Sequence, residues 1–166
     1  MVKFSIIRCA RAVLHVTDLA AARDFYERVL GFVVTEADES HLYLRGLEEY
    51  HHHSLLLKKA PRPAVEALGY KVGSEQQLEA LYEWFAAQTL QPKWLEAGSQ
   101  HVVGRAFRVQ DPPGLPLEFF AQMEKTERLL QRYDVYRDAR VQRIDHFNCA
   151  VTDVQRAYDF YVQRAD

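Results

Sequence analysis

Hydrophobic positions change period along the chain, and each change predicts an element. Residues 11–17 alternate apolar and polar well enough to form a strand that ends at Thr17-Asp18. Asp18 stands where a helix N-cap is wanted. Ala22, Phe25, Tyr26, Val29 and Leu30 then mark one face at helical spacing, and Gly31 occupies the position that stops such a helix. Three strands follow at 32–37, 41–44 and 54–58. Asp38-Glu39-Ser40 supplies a polar turn between the first two, and Arg45-Gly46 breaks the second. The order is β-α-β-β-β.

After a linker marked by Pro61 and Pro63 the same order recurs. Residues 68–72 read as a strand. Ser74 and Gln77 form a capping box, and Leu78, Leu81, Tyr82 and Phe85 give the apolar face of a second helix. Strands at 93–96, 102–109 and 115–121 complete the unit, with Asp111-Pro112-Pro113-Gly114 as a strong turn between the last two. The predicted class is α+β. Neither half would bury enough surface alone. Paired, the two βαβββ units form a curved, open barrel whose concave face suits a metal or small ligand.

Residues 122–141 form a charged connector, with Leu129, Leu130 and Tyr133 spaced for a short helix packed on one side. Beyond it the chain repeats itself. Arg143 to Tyr161 aligns with Arg8 to Tyr26, with Val151-Thr152-Asp153 on Val16-Thr17-Asp18 and Asp159-Phe160-Tyr161 on Asp24-Phe25-Tyr26. A strand over 142–151, a cap at Asp153 and a helix with inner face Ala157, Phe160 and Tyr161 are expected. The organisation is therefore one module (1–121), a connector (122–141) and the opening of a second module (142–166). A strand and helix without their partners should pack on a neighbouring chain or be poorly ordered.

Composition narrows the class. Of 166 residues, 48% are hydrophobic and 27% charged, an ordinary globular mix. The net charge of −2 gives no electrostatic reason to expect nucleic acid or an anionic membrane as partner. No apolar run approaches a membrane-spanning length, and no signal peptide is apparent. Cys9 and Cys149 read as small core residues in a reducing cytoplasm.

The candidate for chemistry is His146, which replaces Arg11 in the repeat. An imidazole on an inward-facing strand suits a metal, and Asn148, two residues on, shares its face. RCARAVLHVTDLAAARDFYERVLG, HLYLRGLEEYHHHSLLL, DPPGLPLEFF, ERLLQRYDVY and RIDHFN together make the chain resemble the vicinal oxygen chelate (glyoxalase-like) superfamily. Within it the chain is similar to the type I extradiol ring-cleaving dioxygenases, and most of all to the 3,4-dihydroxyphenylacetate (homoprotocatechuate) 2,3-dioxygenase group. The resemblance implies a homo-oligomer with a non-catalytic N-terminal module. It also implies a C-terminal module holding mononuclear Fe(II), or Mn(II) in a few relatives, by two His and one Glu. A catecholate and O2 take the remaining positions, and the ring is cut beside a hydroxyl. His146 matches the first His ligand. Asn148 matches a residue near the open positions, a donor to substrate or bound oxygen.

The family's second His, its Glu and its acid–base His have no counterpart in these residues. The resemblance therefore predicts that the chain is inactive as a dioxygenase by itself. In the first module the three ligand positions map to Arg11, Gly69 and Glu118. An Arg11–Glu118 ion pair is predicted to replace the metal there. A structural assembly module and another metalloenzyme of the superfamily, such as a glyoxalase-like enzyme, are the competing readings. Arg11 and Gly69 speak against the latter. In His51-His52-His53, strand geometry would let at most His51 and His53 converge, and a structural or surface role is expected. His15 and His101 stand alone.

Overall fold

The computed structural model describes residues 4–96 and 98–163. Among them, eight strands form one open, curled sheet: β1 (Ile6–Val16), β2 (Val33–Ala37), β3 (His41–Arg45), β4 (Leu55–Lys59), β5 (Ala64–Val72), β6 (Lys93–Trp94), β7 (Ala106–Gln110) and β8 (Pro116–Phe120). Their order is β2-β3-β4-β1-β5-β8-β7-β6. Each βαβββ unit closes by pairing its first strand parallel to its last, β1 with β4 and β5 with β8. The units join through antiparallel β1–β5 pairing, which has three register shifts. Such bulges bend and twist a strand pair and so help the sheet curl.

The first helix keeps its cap but not its expected face. Asp18 accepts hydrogen bonds from the Ala20 and Ala21 amides, opening α1 (Leu19–Arg23). The chain then widens into a π-helical segment, Asp24–Val29, closed by the Leu30 amide donating to the Phe25 carbonyl at 3.0 Å. One extra residue per turn rotates the side chains that come after it. Ala22, Tyr26 and Leu30 pack on a core of Phe32, Leu42, Leu44, Leu55 and Leu57, whereas Phe25 and Val29 are left about half exposed. Gly31 ends the helix at φ +76°.

The second helix, α2 (Glu75–Ala87), follows the pattern closely. Leu78, Leu81 and Phe85 are buried against Phe107, Leu117 and Phe119. Full burial of one such side chain is worth about 1.5–3 kcal/mol. Ser74 Oγ accepts from the Gln77 amide, but Gln77 Oε1 reaches back to the Gly73 amide, one residue before the cap. Asp111 holds the last hairpin by accepting from the Leu115 amide at 2.6 Å.

The connector and second copy depart from the expected elements. The connector's one helical turn among the described residues is a 3-10 turn, Tyr133–Val135, beside isolated bridges from Met123 to Val103 and from Lys125 to His51, with Leu129 buried but Leu130 and Tyr133 exposed. It is held by backbone bonds instead: Leu47 donates to Val141, Glu48 to Gln142, and Arg45 Nη1 to the Glu127 carbonyl. Residues 142–151 join no ladder among the described residues, so the predicted strand is not formed. Alternation survives only from His146 onward, with Phe147 and Cys149 turned to the core and His146 and Asn148 exposed. Asp153 caps α3 (Val154–Gln163) by accepting from the Arg156 amide. This helix packs on its own chain, with Phe160 buried against Trp84 and Phe85, so over the described residues the tail is not the poorly ordered segment that was one of the two expectations. Tyr161, expected inward, stays partly exposed and bonds Asp111.

Candidate functional site

Sheet register brings the three mapped ligand positions of the first module together. Arg11 on β1 pairs with Gly69 on β5, and Gly69 pairs with Glu118 on β8. The three residues lie side by side across adjacent strands. Arg11 Nη2 stands 2.7 Å from Glu118 Oε1, and both side chains are fully buried, as expected. Gly69 is what makes room: a Cβ there would fall 2.6 Å from Arg11 Cγ. A protonated guanidinium has no lone pair to offer a metal, so the ion pair closes this site to one.

The pair is embedded in further polar groups. Gln100 accepts from Arg11 Nη2 at 2.6 Å and donates to Glu118 at 3.3 Å. His53 Nε2 lies 3.0 Å from Arg11 Nη1. Arg108 donates through Nε to Glu118 and through Nη2 to Glu66, each at 2.8 Å. Glu66 also accepts from Lys58 and meets His15 at 2.7 Å. Burial pushes the Glu66 carboxyl up, but its bonds from Lys58, His15 and Arg108 outweigh that and hold it at about 2. Burial, with the Arg11 charge beside it, drives His53 well below the ordinary imidazole value, so it is neutral.

His146 is 79% exposed rather than inward-facing, and its nearest carboxylate is the adjacent Asp145 at 3.7 Å. Asn148 shares that exposed face and lines an open cleft with Tyr70, Val151, Ala157 and Tyr158. One imidazole and one neighbouring carboxylate do not fit a mononuclear centre built from two imidazoles and a carboxylate. The described residues therefore do not by themselves complete the metal site that the resemblance implies.

A different cluster does assemble. Glu36, His52 and His101 place one ligand atom each within 4.8 Å of the others. His51, His52 and His53 lie outside the strands, so strand alternation does not govern them. His51 and His53, the most that strand geometry would have let converge, are not brought together on a shared ligand position. His52 turns toward Glu36 and His101, while His51 is buried apart with its pKa lowered to about 4 by burial and by Lys71, Arg8 and Lys125. No local motif marks His101. Only the path of the β6–β7 loop brings it across.

The Glyoxalase/Bleomycin resistance protein/Dioxygenase superfamily profile matches residues 8–119. The chain belongs to this superfamily. It is similar in structure to homoprotocatechuate 2,3-dioxygenase from Arthrobacter globiformis, with 42% identity and a TM-score of 0.91 over 97% of this chain and 50% of that one. A variant of the B. fuscum homoprotocatechuate 2,3-dioxygenase matches at 38% identity and the same TM-score, over 97% of this chain and 44% of that one. Among curated proteins, a manganese-dependent 2,3-dihydroxybiphenyl 1,2-dioxygenase of Geobacillus genomosp. 3 is 25% identical over 137 residues, 78% of this chain and 44% of the relative. A metapyrocatechase of Pseudomonas sp. (strain CF600) is 29% identical over 125 residues, 75% of this chain and 41% of the relative. The chain thus spans about half the length of these superfamily members or less. Among the described residues, no helix is long and apolar enough to cross a membrane.

Proposed function

We propose that this chain is the N-terminal, non-catalytic module of an extradiol ring-cleaving dioxygenase, together with the first segment of its catalytic module. The observation that carries the module assignment is the Arg11–Gly69–Glu118 register, which puts an ion pair where a superfamily metal site would place its ligands. The activity assignment is supported by the match of 97% of this chain to 44% and 50% of the length of homoprotocatechuate 2,3-dioxygenases, at 38% and 42% identity. In this reading the substrates are 3,4-dihydroxyphenylacetate and O2. His146 contributes one ligand to a mononuclear Fe(II) centre, with Mn(II) as the alternative, and Asn148 stands beside the open positions. The whole protein is a homo-oligomer in the cytoplasm. The 166 residues alone do not cleave the ring.

The test is a chimera in which residues 1–150 replace the corresponding part of the Arthrobacter globiformis enzyme. The chimera is expected to bind iron and consume O2 with 3,4-dihydroxyphenylacetate, and His146→Ala is expected to abolish both. A folded, iron-loaded chimera without turnover would sink the activity assignment. Full turnover in the His146→Ala chimera would remove His146 from the metal.

A further inference from the structure

We infer that Glu36, His52 and His101 form a second divalent-cation site, a zinc tie between the two βαβββ units, separate from His146 and independent of the ring-cleavage reading. Glu36 is on β2 in the first unit, His52 lies between β3 and β4, and His101 sits on the β6–β7 loop of the second unit. Both imidazoles aim the same atom at the same target. His101 Nε2 is 2.8 Å and His52 Nε2 is 3.2 Å from Glu36 Oε2. A tetrahedral zinc with bonds of about 2.0–2.1 Å holds its ligand atoms about 3.3 Å apart, so each imidazole already stands near ligand spacing from the carboxylate, and all three donors lie within 4.8 Å of one another. Two imidazoles and a carboxylate suit zinc, nickel or copper better than calcium or magnesium. The fourth position faces water, because His101 and Glu36 are 45% and 47% exposed.

The surroundings hold these side chains in place. The Tyr43 ring packs against both His52 and His101, with ring centroids 5.6 and 5.2 Å away. His52 Nδ1 lies 3.1 Å from His53 Nδ1, and His53 in turn meets Arg11. That contact orients the His52 ring, the role a second layer of hydrogen bonds plays at metal sites. With a metal on Nε2, His52 keeps its hydrogen on Nδ1 and donates it to His53. The Arg11–His53 contact then yields, while Arg11 retains Glu118 and Gln100. On the other side, Val102 takes φ +57°, a conformation β-branched residues avoid. Its carbonyl accepts from the Glu124 amide, and Gly104 donates to the Gln122 carbonyl, which pins the loop that presents His101. The same loop carries Gln100 onto the buried ion pair. A bound cation would thus fasten the loop that covers the centre of the sheet.

The experiment is equilibrium dialysis of the 166-residue protein, prepared without a histidine tag, against low-micromolar zinc, with bound metal counted by mass spectrometry. One zinc per chain is expected, together with a zinc-dependent rise in Tm. Glu36→Gln and His101→Ala, both at exposed positions, should keep the metal-free fold by circular dichroism. Each should weaken zinc binding by about tenfold or more and lose the Tm rise. His146→Ala should bind zinc as the parent does. Absence of stoichiometric zinc in the parent would overturn the proposal. So would binding that survives His101→Ala, or binding lost only in His146→Ala, which would put the metal elsewhere.

Discussion

Replacing either member of the buried ion pair should destabilise the chain, and by unequal amounts. Arg11→Met leaves Glu118 with Arg108 Nε at 2.8 Å and with Gln100, so its charge stays paired. The loss is then one contact to a charged group, about 2 kcal/mol. Glu118→Leu is harsher. Arg108 keeps Glu66 and has 27% exposure, but Arg11 has none and is left with the neutral Gln100 and His53. An uncompensated buried charge costs about 3–5 kcal/mol. Replacing both residues removes the two charges together, so the double variant should lie within about 1 kcal/mol of the parent, and the coupling should exceed about 2 kcal/mol. Urea unfolding followed by far-UV circular dichroism at neutral pH measures all four proteins, with an unchanged slope as the check that only stability moved. If Glu118→Leu costs under about 1 kcal/mol, or if the two single losses add without coupling, the pair is not the buried, mutually dependent unit described above.

Other outcomes rest on the same geometry. Gly69→Ala should destabilise the parent, since its Cβ falls 2.6 Å from Arg11 Cγ, and the cost should shrink in the Arg11→Ala background; equal costs in both would remove Arg11 as the reason for the glycine. Asp18→Ala should cost about 1 kcal/mol in urea unfolding through two lost cap bonds. Acid should destabilise the fold in two stages. His51, lowered from 6.5 to about 4, binds a proton more readily when unfolded, so its contribution is present above pH 6.5 and fades as pH falls toward 4. Glu66, lowered from 4.5 to about 2, contributes above pH 4.5 and loses that contribution toward pH 2; a Glu66→Gln stability profile as steep as the parent's in that lower window would contradict this. Phe160→Ala should undock α3 from Trp84 and Phe85 and speed amide exchange across the helix; unchanged exchange would show that the helix is held some other way.

The sheet was legible because its strands are bounded by strong turn residues and its helices by real caps, Asp18 and Ser74. The ion pair was legible because the repeat aligns Arg11 with His146, and strand pairing then turns three distant positions into neighbours. The π-helical widening after Arg23 was not legible, since i→i+5 bonding leaves no distinct apolar period. The second copy misled for a related reason. Residues 142–151 carry strand alternation, but a strand also needs a ladder partner, and alternation alone does not supply one. His101 was missed because a loop contact separated from Glu36 by 65 residues has no local signature.

The central proposal is that the first module carries an ion pair in place of a metal centre and that these 166 residues hold only part of a ring-cleaving site. Its most direct test is O2 uptake by the purified chain, loaded anaerobically with Fe(II) and given 3,4-dihydroxyphenylacetate. No consumption above that of Fe(II) in buffer is expected. Catalytic turnover of the catechol by this chain would contradict the account, and turnover that persists in His146→Ala would also remove His146 from the metal.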